Sequence, residues 1–247
     1  MAVTYLALSY NGYSYGETIE EVTEELGFRH RMSKAANRDG AFAAPGLHDP
    51  RRLSASGVLV GAGRGQDAAS LRAAWDAFKG AHQPGAAAPL HLDSDRYLNA
   101  QVEHLSFKFD GLSYQVQLSF LAYDPYWYAG QPTSAPLAQN AATTVTPAGT
   151  ATSPPLFTFT VSSAPPGGLL TLTNAQDVGL SFAPPGAGTY LIDCAAEAIT
   201  DQNGTDQTAS MTGDFVSLVA GPNALTLSLS GGLALTAQSV TWTDRWA

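Results

Sequence analysis

Asp124-Pro125-Tyr126-Trp127-Tyr128 follows the alternating run Tyr114, Val116, Leu118, Phe120 and precedes a stretch, Ala129 to Pro155, without a single charged residue. Three aromatic side chains around an Asp-Pro turn expose too much apolar surface to sit in a flexible linker. They should bury, and a junction between two domains is the natural place. Upstream, Leu105, Phe107 and Phe109 alternate with polar residues, Asp110-Gly111 turns the chain, and the alternation resumes at Tyr114. A period of two on both sides of an Asp-Gly turn marks a β-hairpin with one buried face.

The rest of the first half extends this pattern. Asn11-Gly12 between Tyr10 and Tyr13 is a second hairpin signal, because both turn residues tolerate positive φ. Met1 to Tyr10 lacks the basic segment of a signal peptide and reads as a first strand. Leu53 to Val60 reads as another strand. Asp67 to Lys79 is the one convincing helix: Leu71, Ala74, Trp75 and Phe78 share a face, and Gly80 and Pro84 stop it. About 13 residues span roughly 20 Å, enough to cover one side of a small barrel. Arg29 to Asp49 carries Arg29, His30, Arg31, Lys34 and Arg38 among small residues. It reads as a mobile basic loop, either simply solvated or a docking arm for an acidic neighbour.

From Ala129 to Pro155 a linker and an edge strand are expected. Beyond lie short strands at Phe157–Val161, Leu169–Thr173, Gly179–Phe182, Thr189–Cys194, Phe215–Val219, Ala224–Leu229 and Ser239–Thr243, with Gly, Pro or Asn in each gap. That spacing predicts a β-sandwich without a helix.

The 247 residues are 45% hydrophobic and 13% charged, a folded, low-charge composition. A net charge of -9 argues against wrapping nucleic acid, since phosphate contacts need Lys and Arg. Cys194 is the sole cysteine, so no intrachain disulfide forms, and a buried apolar thiol is expected. No apolar run approaches the ~20 residues of a membrane span. Synthesis and folding in a cytoplasm are expected, and Asn203-Gly204-Thr205 reads as a turn.

Catalytic patterns are thin. Gly57 to Val60, the glycines at 61, 63 and 65, the helix and then Leu90 to Asp93 follow the order of a dinucleotide-binding βαβ unit. That fingerprint needs glycine at 66, which is Gln66. His91, Asp93 and Asp95 cap a turn more readily than they hold a metal. Asp201 to Asp206 lacks the glutamate that closes a calcium loop and reads as a hairpin tip. No Gly-x-Ser-x-Gly elbow and no zinc spacing among His30, His48, His82, His91 and His104 is present. No catalytic residue, cofactor or metal is expected.

Four pieces together resemble the distal tail proteins of long-tailed, non-contractile bacteriophages. They are the strand running into the Leu71/Trp75/Phe78 helix; Asp95-Arg96-Tyr97 followed by the hairpin and Leu121 to Tyr128; Thr189 to Asp193 with Phe215 to Leu218 and Gly221 to Asn223; and the ending Val240 to Trp246. The Asp-Pro-aromatic-Trp element is the most specific. Two motifs depart from the family: Ala220-Gly221-Pro222-Asn223 stands for Pro-Gly-x-Asn, and Thr146 to Gly149 for Asn-x-Gly. The resemblance implies a mainly β fold: a ring-forming (belt) domain resembling a split β-barrel with one α-helix at 1–132, and a galectin-like β-sandwich at 133–247. It implies a structural virion protein, a homohexameric hub at the distal tail end. Its partners would be copies of itself, the tail tube protein, tail-tip proteins and possible receptor-binding and tape measure proteins. DNA would pass through the bore without specific binding, and nothing would insert into a membrane. A ring needs sheet edges that pair between copies. Asp124, Pro125, Tyr126, Trp127 and Tyr128 would form the domain junction. The competing reading is a carbohydrate-binding module with an accessory β domain.

Overall fold

The computed structural model describes the chain apart from residues 1–7, 16–18, 26–27, 30–31, 35–40, 44–46, 60–67, 84, 92–94, 112 and 176–178. It forms two compact units, Met1–Gly130 and Gln131–Ala247. Both are antiparallel β structures, and among the described residues there is one α-helix.

The first unit contains β1 (Ser9–Tyr10), β2 (Tyr13–Ser14), β3 (Ile19–Glu25), β4 (Phe28–Arg29), β5 (Met32–Lys34), β6 (Ala41–Ala43), β7 (Leu47–His48), β8 (Arg51–Leu59), α1 (Ala68–Ala81), β9 (Ala88–His91), β10 (Arg96–Phe109), β11 (Tyr114–Ala122) and β12 (Trp127–Ala129). Its main sheet runs β2-β1-β9-β10-β11-β8-β3, with β12 also paired to β10. The two hairpins read from the sequence are there. Asn11 and Gly12 have φ of 49° and 77°, as the first turn requires. In the second, the Asp110 carboxylate accepts hydrogen bonds from the Ser113 amide and hydroxyl, each at 2.8 Å.

Alternation decides the faces of this sheet. Leu53, Ala55 and Leu59 on β8, and Val116, Leu118 and Phe120 on β11, are buried on one face. Helix α1 lays Leu71, Trp75 and Phe78 on that core, and Trp75 stacks on Tyr114 with ring centroids 4.8 Å apart. Ala74, expected on the same face, is half-buried. The glycine loop at 61–66 lies outside the described residues, as do Leu92 and Asp93. Arg29 to Asp49 is a correction. Its described parts are paired strands, β4 with β7 and β5 with β6. Ladder bonds satisfy backbone groups that an irregular loop leaves to water, and that outweighs the run of small residues.

The C-terminal end of α1 carries a buried imidazole. His82 is only 2% exposed, ringed by Tyr10, Tyr13, Tyr15, Phe78 and Phe120. Its Nδ1 lies 2.6 Å from the Phe78 carbonyl, which can only accept, so Nδ1 carries the proton. The Tyr15 hydroxyl then donates to Nε2. Burial holds the imidazole below its ordinary value of 6.5, outweighing the carbonyl bond that acts the other way. The sign follows: above pH 6.5 both folded and unfolded chains are neutral here, and below it the unfolded chain takes a proton that the folded one refuses. The melting temperature of the first unit should therefore fall between pH 7.5 and 5.5. His82→Gln keeps both hydrogen bonds without titrating, so it should flatten that slope; an unchanged slope would assign it to other groups.

The second unit contains β13 (Thr133–Pro136), β14 (Ala142–Val145), β15 (Leu156–Ser163), β16 (Leu169–Thr173), β17 (Gly179–Phe182), β18 (Gly188–Asp193), β19 (Ala198–Asp201), a 3₁₀ turn at Thr208–Ser210, β20 (Met211–Gly213), β21 (Asn223–Ser230), β22 (Ala234–Trp242) and β23 (Arg245–Trp246). Two five-stranded sheets, β13-β22-β15-β18-β19 and β14-β21-β16-β17-β20, face one core. Phe157, Phe159, Leu172, Phe182, Ile192, Leu227 and Val240 fill it. The stretch expected to hold a linker and one edge strand supplies two, β13 and β14, one for each sheet. Phe215–Val219 is not a strand: Val216 and Leu218 are fully buried, but only Leu218 bridges, to Ser153. The loop is pinned by a side chain instead. Asn223, 2% exposed, accepts from the Val219 amide at 3.0 Å and donates to the Val219 and Gly221 carbonyls at 2.8 and 2.7 Å.

Gly149 explains itself by close approach. A Cβ there would lie 2.1 Å from the Arg245 carbonyl oxygen, which also accepts from the Ala151 amide at 3.0 Å. Gly149→Ala should therefore push the closing segment away and cost the second unit about 1–3 kcal/mol. Chemical denaturation checks this, and an unperturbed midpoint would show that the segment moves freely.

Candidate functional site

No described group of three or more His, Cys, Asp or Glu side chains could hold a metal ion. The acidic tip is self-satisfied: Asp201 Oδ1 accepts from the Asn203 and Thr205 amides at 2.8 and 2.9 Å, and Asp206 Oδ1 from the Thr208 amide at 2.8 Å. His91 lies against Tyr97 with the rings tilted and their centroids 5.7 Å apart, and Asp93 of the same candidate set lies outside the described residues. Cys194 is buried and free, its thiol pushed up to about 12 chiefly by burial, so it is no nucleophile. No described helix is long and apolar enough to cross a membrane.

What the first unit offers is surface. The aromatic motif is one part of it. Asp124 accepts from the Tyr126 amide at 3.4 Å and from the Tyr128 hydroxyl, closing a tight turn around buried Pro125. Strand alternation then sends Trp127 and Tyr128 to opposite faces. Tyr128 stacks on Tyr97 at 5.5 Å, extending the row that His91 begins. Trp127 is 8% exposed, and its Nε1 donates to Glu24 at 3.3 Å. The Arg51 guanidinium sits 5.7 Å from its ring centroid and 2.6 Å from the same Glu24 oxygen. Arg51 is 2% exposed; burial lowers its affinity for the proton, and Glu24 opposes that. The motif thus reaches back to β8 and holds the outer strand β3. Sequence pattern could not show this, because Glu24, Arg51 and Trp127 come together only through sheet order.

The face of the sheet opposite α1 is the second part. Ser54 and Ser56 on β8, Gln117 and Ser119 on β11, and His104 on β10 line a shallow depression of about 310 Å³. Glu103, at a bulge in β10, takes a two-pronged contact from Arg52 at 3.2 and 3.3 Å and another from the Ser119 hydroxyl at 3.1 Å. These bonds, the Arg52 one first, hold its carboxyl below the usual range. The depression therefore presents hydroxyl, amide and imidazole groups beside the Arg52–Glu103 ion pair, with the Ser119 hydroxyl already engaged by Glu103.

The third part is a pair of open edges. Strand β9 covers β10 only from Tyr97 to Ala100, and β11 pairs its other side from Gln101 to Phe109. Among the described residues, the remaining side of β10 beyond Ala100 has no strand partner, and β3 is paired only on its β8 side. Beside the β10 edge stand Phe107 and Phe109, 56% and 53% exposed, in contact with Trp75 and Tyr114. In the second unit the one large exposed hydrophobic side chain among the described residues is Val219.

No family model and no curated protein matches the sequence. Solved structures do. The crystal structure of the phage SPP1 Dit protein, described as a paradigm of the hub adsorption apparatus in phages infecting Gram-positive bacteria, superposes with a TM-score of 0.74 at 17% identity. It covers 98% of this chain and 99% of that one. A chain of the phage P2 baseplate in its activated conformation with Ca matches with a TM-score of 0.45 at 7% identity, covering 89% and 87%. A second P2 baseplate structure, with Sr, matches at 0.47 and 8%, covering 90% of each. Over both of its units, this chain has the fold of the SPP1 Dit hub protein.

Proposed function

We propose that the chain is a structural protein of a bacteriophage tail: a homohexameric hub at the distal end, joining the tail tube above to tail-tip and receptor-binding proteins below. The observation that carries this reading is the end-to-end agreement of both units with the SPP1 Dit fold. The first unit is the ring-forming domain and the second the galectin-like one. The motif Asp124 to Tyr128 closes the first and leads into the second. The two open edges support the reading physically: among the described residues the sheet is open along β3 on one side and along the outer half of β10 on the other, and two such edges can join head to tail into a closed ring. The Ser/Gln depression suits a bore through which DNA passes without being held, since no Lys or Arg is among its lining residues. The tape measure protein is a further candidate for that space, and the protein's place is the virion tail tip.

Mass photometry and negative-stain electron microscopy of the full chain test the reading. Closed six-fold rings are expected at micromolar concentration, and a monomer under all conditions would count against a hub. The carbohydrate-binding alternative predicts glycan-array binding instead. The exposed aromatic side chains found here, Phe107, Phe109 and Tyr123, all belong to the first unit, so the sandwich presents no stacking platform for sugar rings among its described residues.

A further inference from the structure

We propose that neighbouring copies join through β3 of one and the outer half of β10 of the next, and that the seam is specified by a different chemistry on each face. This rests on the ring reading above and says how the ring is held. Strand direction alternates across β10, β11, β8 and β3, so β3 runs opposite to β10. Copies placed side by side in one orientation therefore meet as an antiparallel pair. Ile19–Glu25 is long enough to pair with most of the part of β10 beyond Ala100, which ends at Phe109.

The rows of the sheet assign the faces. Phe107, Val116, Gly57 and Ile19 form one row, and Leu105, Leu118, Ala55 and Val22 the next, all on the face that α1 covers. Continued across the seam, these rows set Phe107 beside Ile19 and Leu105 beside Val22 of the next copy. That would cover the side of Phe107 left exposed by its contacts with Trp75 and Tyr114. The opposite face carries the row Ser106, Gln117, Ser56 and Glu21, flanked by His104 and Lys108 on β10 and by Thr23 on β3. Glu21 would therefore lie opposite Ser106 with His104 and Lys108 on its diagonals. Closing a sheet into a ring requires a stagger. A slip of two residues preserves both faces and moves Glu21 opposite His104 or Lys108. A slip of one would set Glu21 against Phe107, so the two faces exclude that register.

Charged edge strands ordinarily block pairing. Here β3 exposes Glu21 and Glu25 on that face, and β10 exposes Lys108 on the same face of its free edge. The charges repel a second β3 and admit β10, which makes the contact head-to-tail and ring-forming instead of two-fold.

The test is a charge swap in the full chain, with ring yield read by mass photometry. Lys108→Glu and Glu21→Lys should each lower the yield by about tenfold, through like-charge contact at every seam. An equimolar mixture of the two variants, and the chain carrying both changes, should recover it. Phe107→Ser should lower the yield by a similar factor at a temperature where circular dichroism shows the monomer still folded. Circular dichroism of each variant confirms that it folds. Rings formed equally well by wild type and both single charge variants would overturn the seam and leave the ring reading standing. A wild type that forms no ring, alone or with any variant, would overturn both.

Discussion

Replacing Trp127 by alanine should lower the stability of the first unit by about 3–5 kcal/mol, the range for truncating a large buried aromatic. The ring is 8% exposed and has two partners to lose. Its indole nitrogen holds Glu24, its face meets the Arg51 guanidinium, and its removal leaves a void at the outer side of β8. The loss is compounded because Arg51 is buried and depends on a fixed Glu24 for compensation. Denaturant unfolding should show one transition weakened, with amide exchange rising first in β3, the strand that Glu24 anchors. Trp127→Phe separates the contributions: it keeps most of the packing and loses the indole hydrogen bond, so its cost should be nearer 1 kcal/mol. An unchanged melting curve for the alanine variant would mean that the ring contributes nothing to packing in this unit.

Phe78→Ala should be as damaging, at about 3–5 kcal/mol, for a different reason. Phe78 is fully buried at the centre of an aromatic cluster, with ring centroids 4.3 Å from His82, 5.7 Å from Trp75 and 5.7 Å from Tyr13. It is the residue through which α1 grips the β1–β2 hairpin. A cavity there cannot be refilled by Leu71 or Trp75 without lifting the helix. The second unit has its own core, with twenty buried members among the described residues, so its unfolding transition should stay where it is. If both transitions shifted together, the two units would not unfold independently.

The two predictions bear on function in the same way. Trp127 holds β3, and Phe78 holds the helix that covers the core face behind Phe107. Weakening either should disorder an edge that the proposed seam uses, so both variants should also lower ring yield. The charge substitutions at the seam, on exposed Glu21 and Lys108, differ in kind: they should change assembly while leaving the melting temperature of the isolated chain in place.

Local chemistry by itself determined a good deal of this protein. Period-two alternation from Leu105 to Phe120 and the Asn-Gly and Asp-Gly turns specify hairpins without tertiary help, because side chains must alternate across a pleated strand. The 3.6-residue spacing of Leu71, Trp75 and Phe78 marks the helix and its buried face. The Asp-Pro-Tyr-Trp-Tyr run carries its own turn, since Asp124 caps it with its own side chain. Two things were decided only by tertiary structure. One is which irregular stretches pair: the described parts of Arg29 to Asp49 pair as strands, while Phe215 to Val219 does not, because Asn223 satisfies that backbone locally. The second is what Trp127 does. Glu24, Arg51 and Trp127 lie far apart in sequence and meet through the order β11-β8-β3, which no local period encodes. The open edges of β3 and β10 have the same origin, for an edge is defined by the strand that is not beside it.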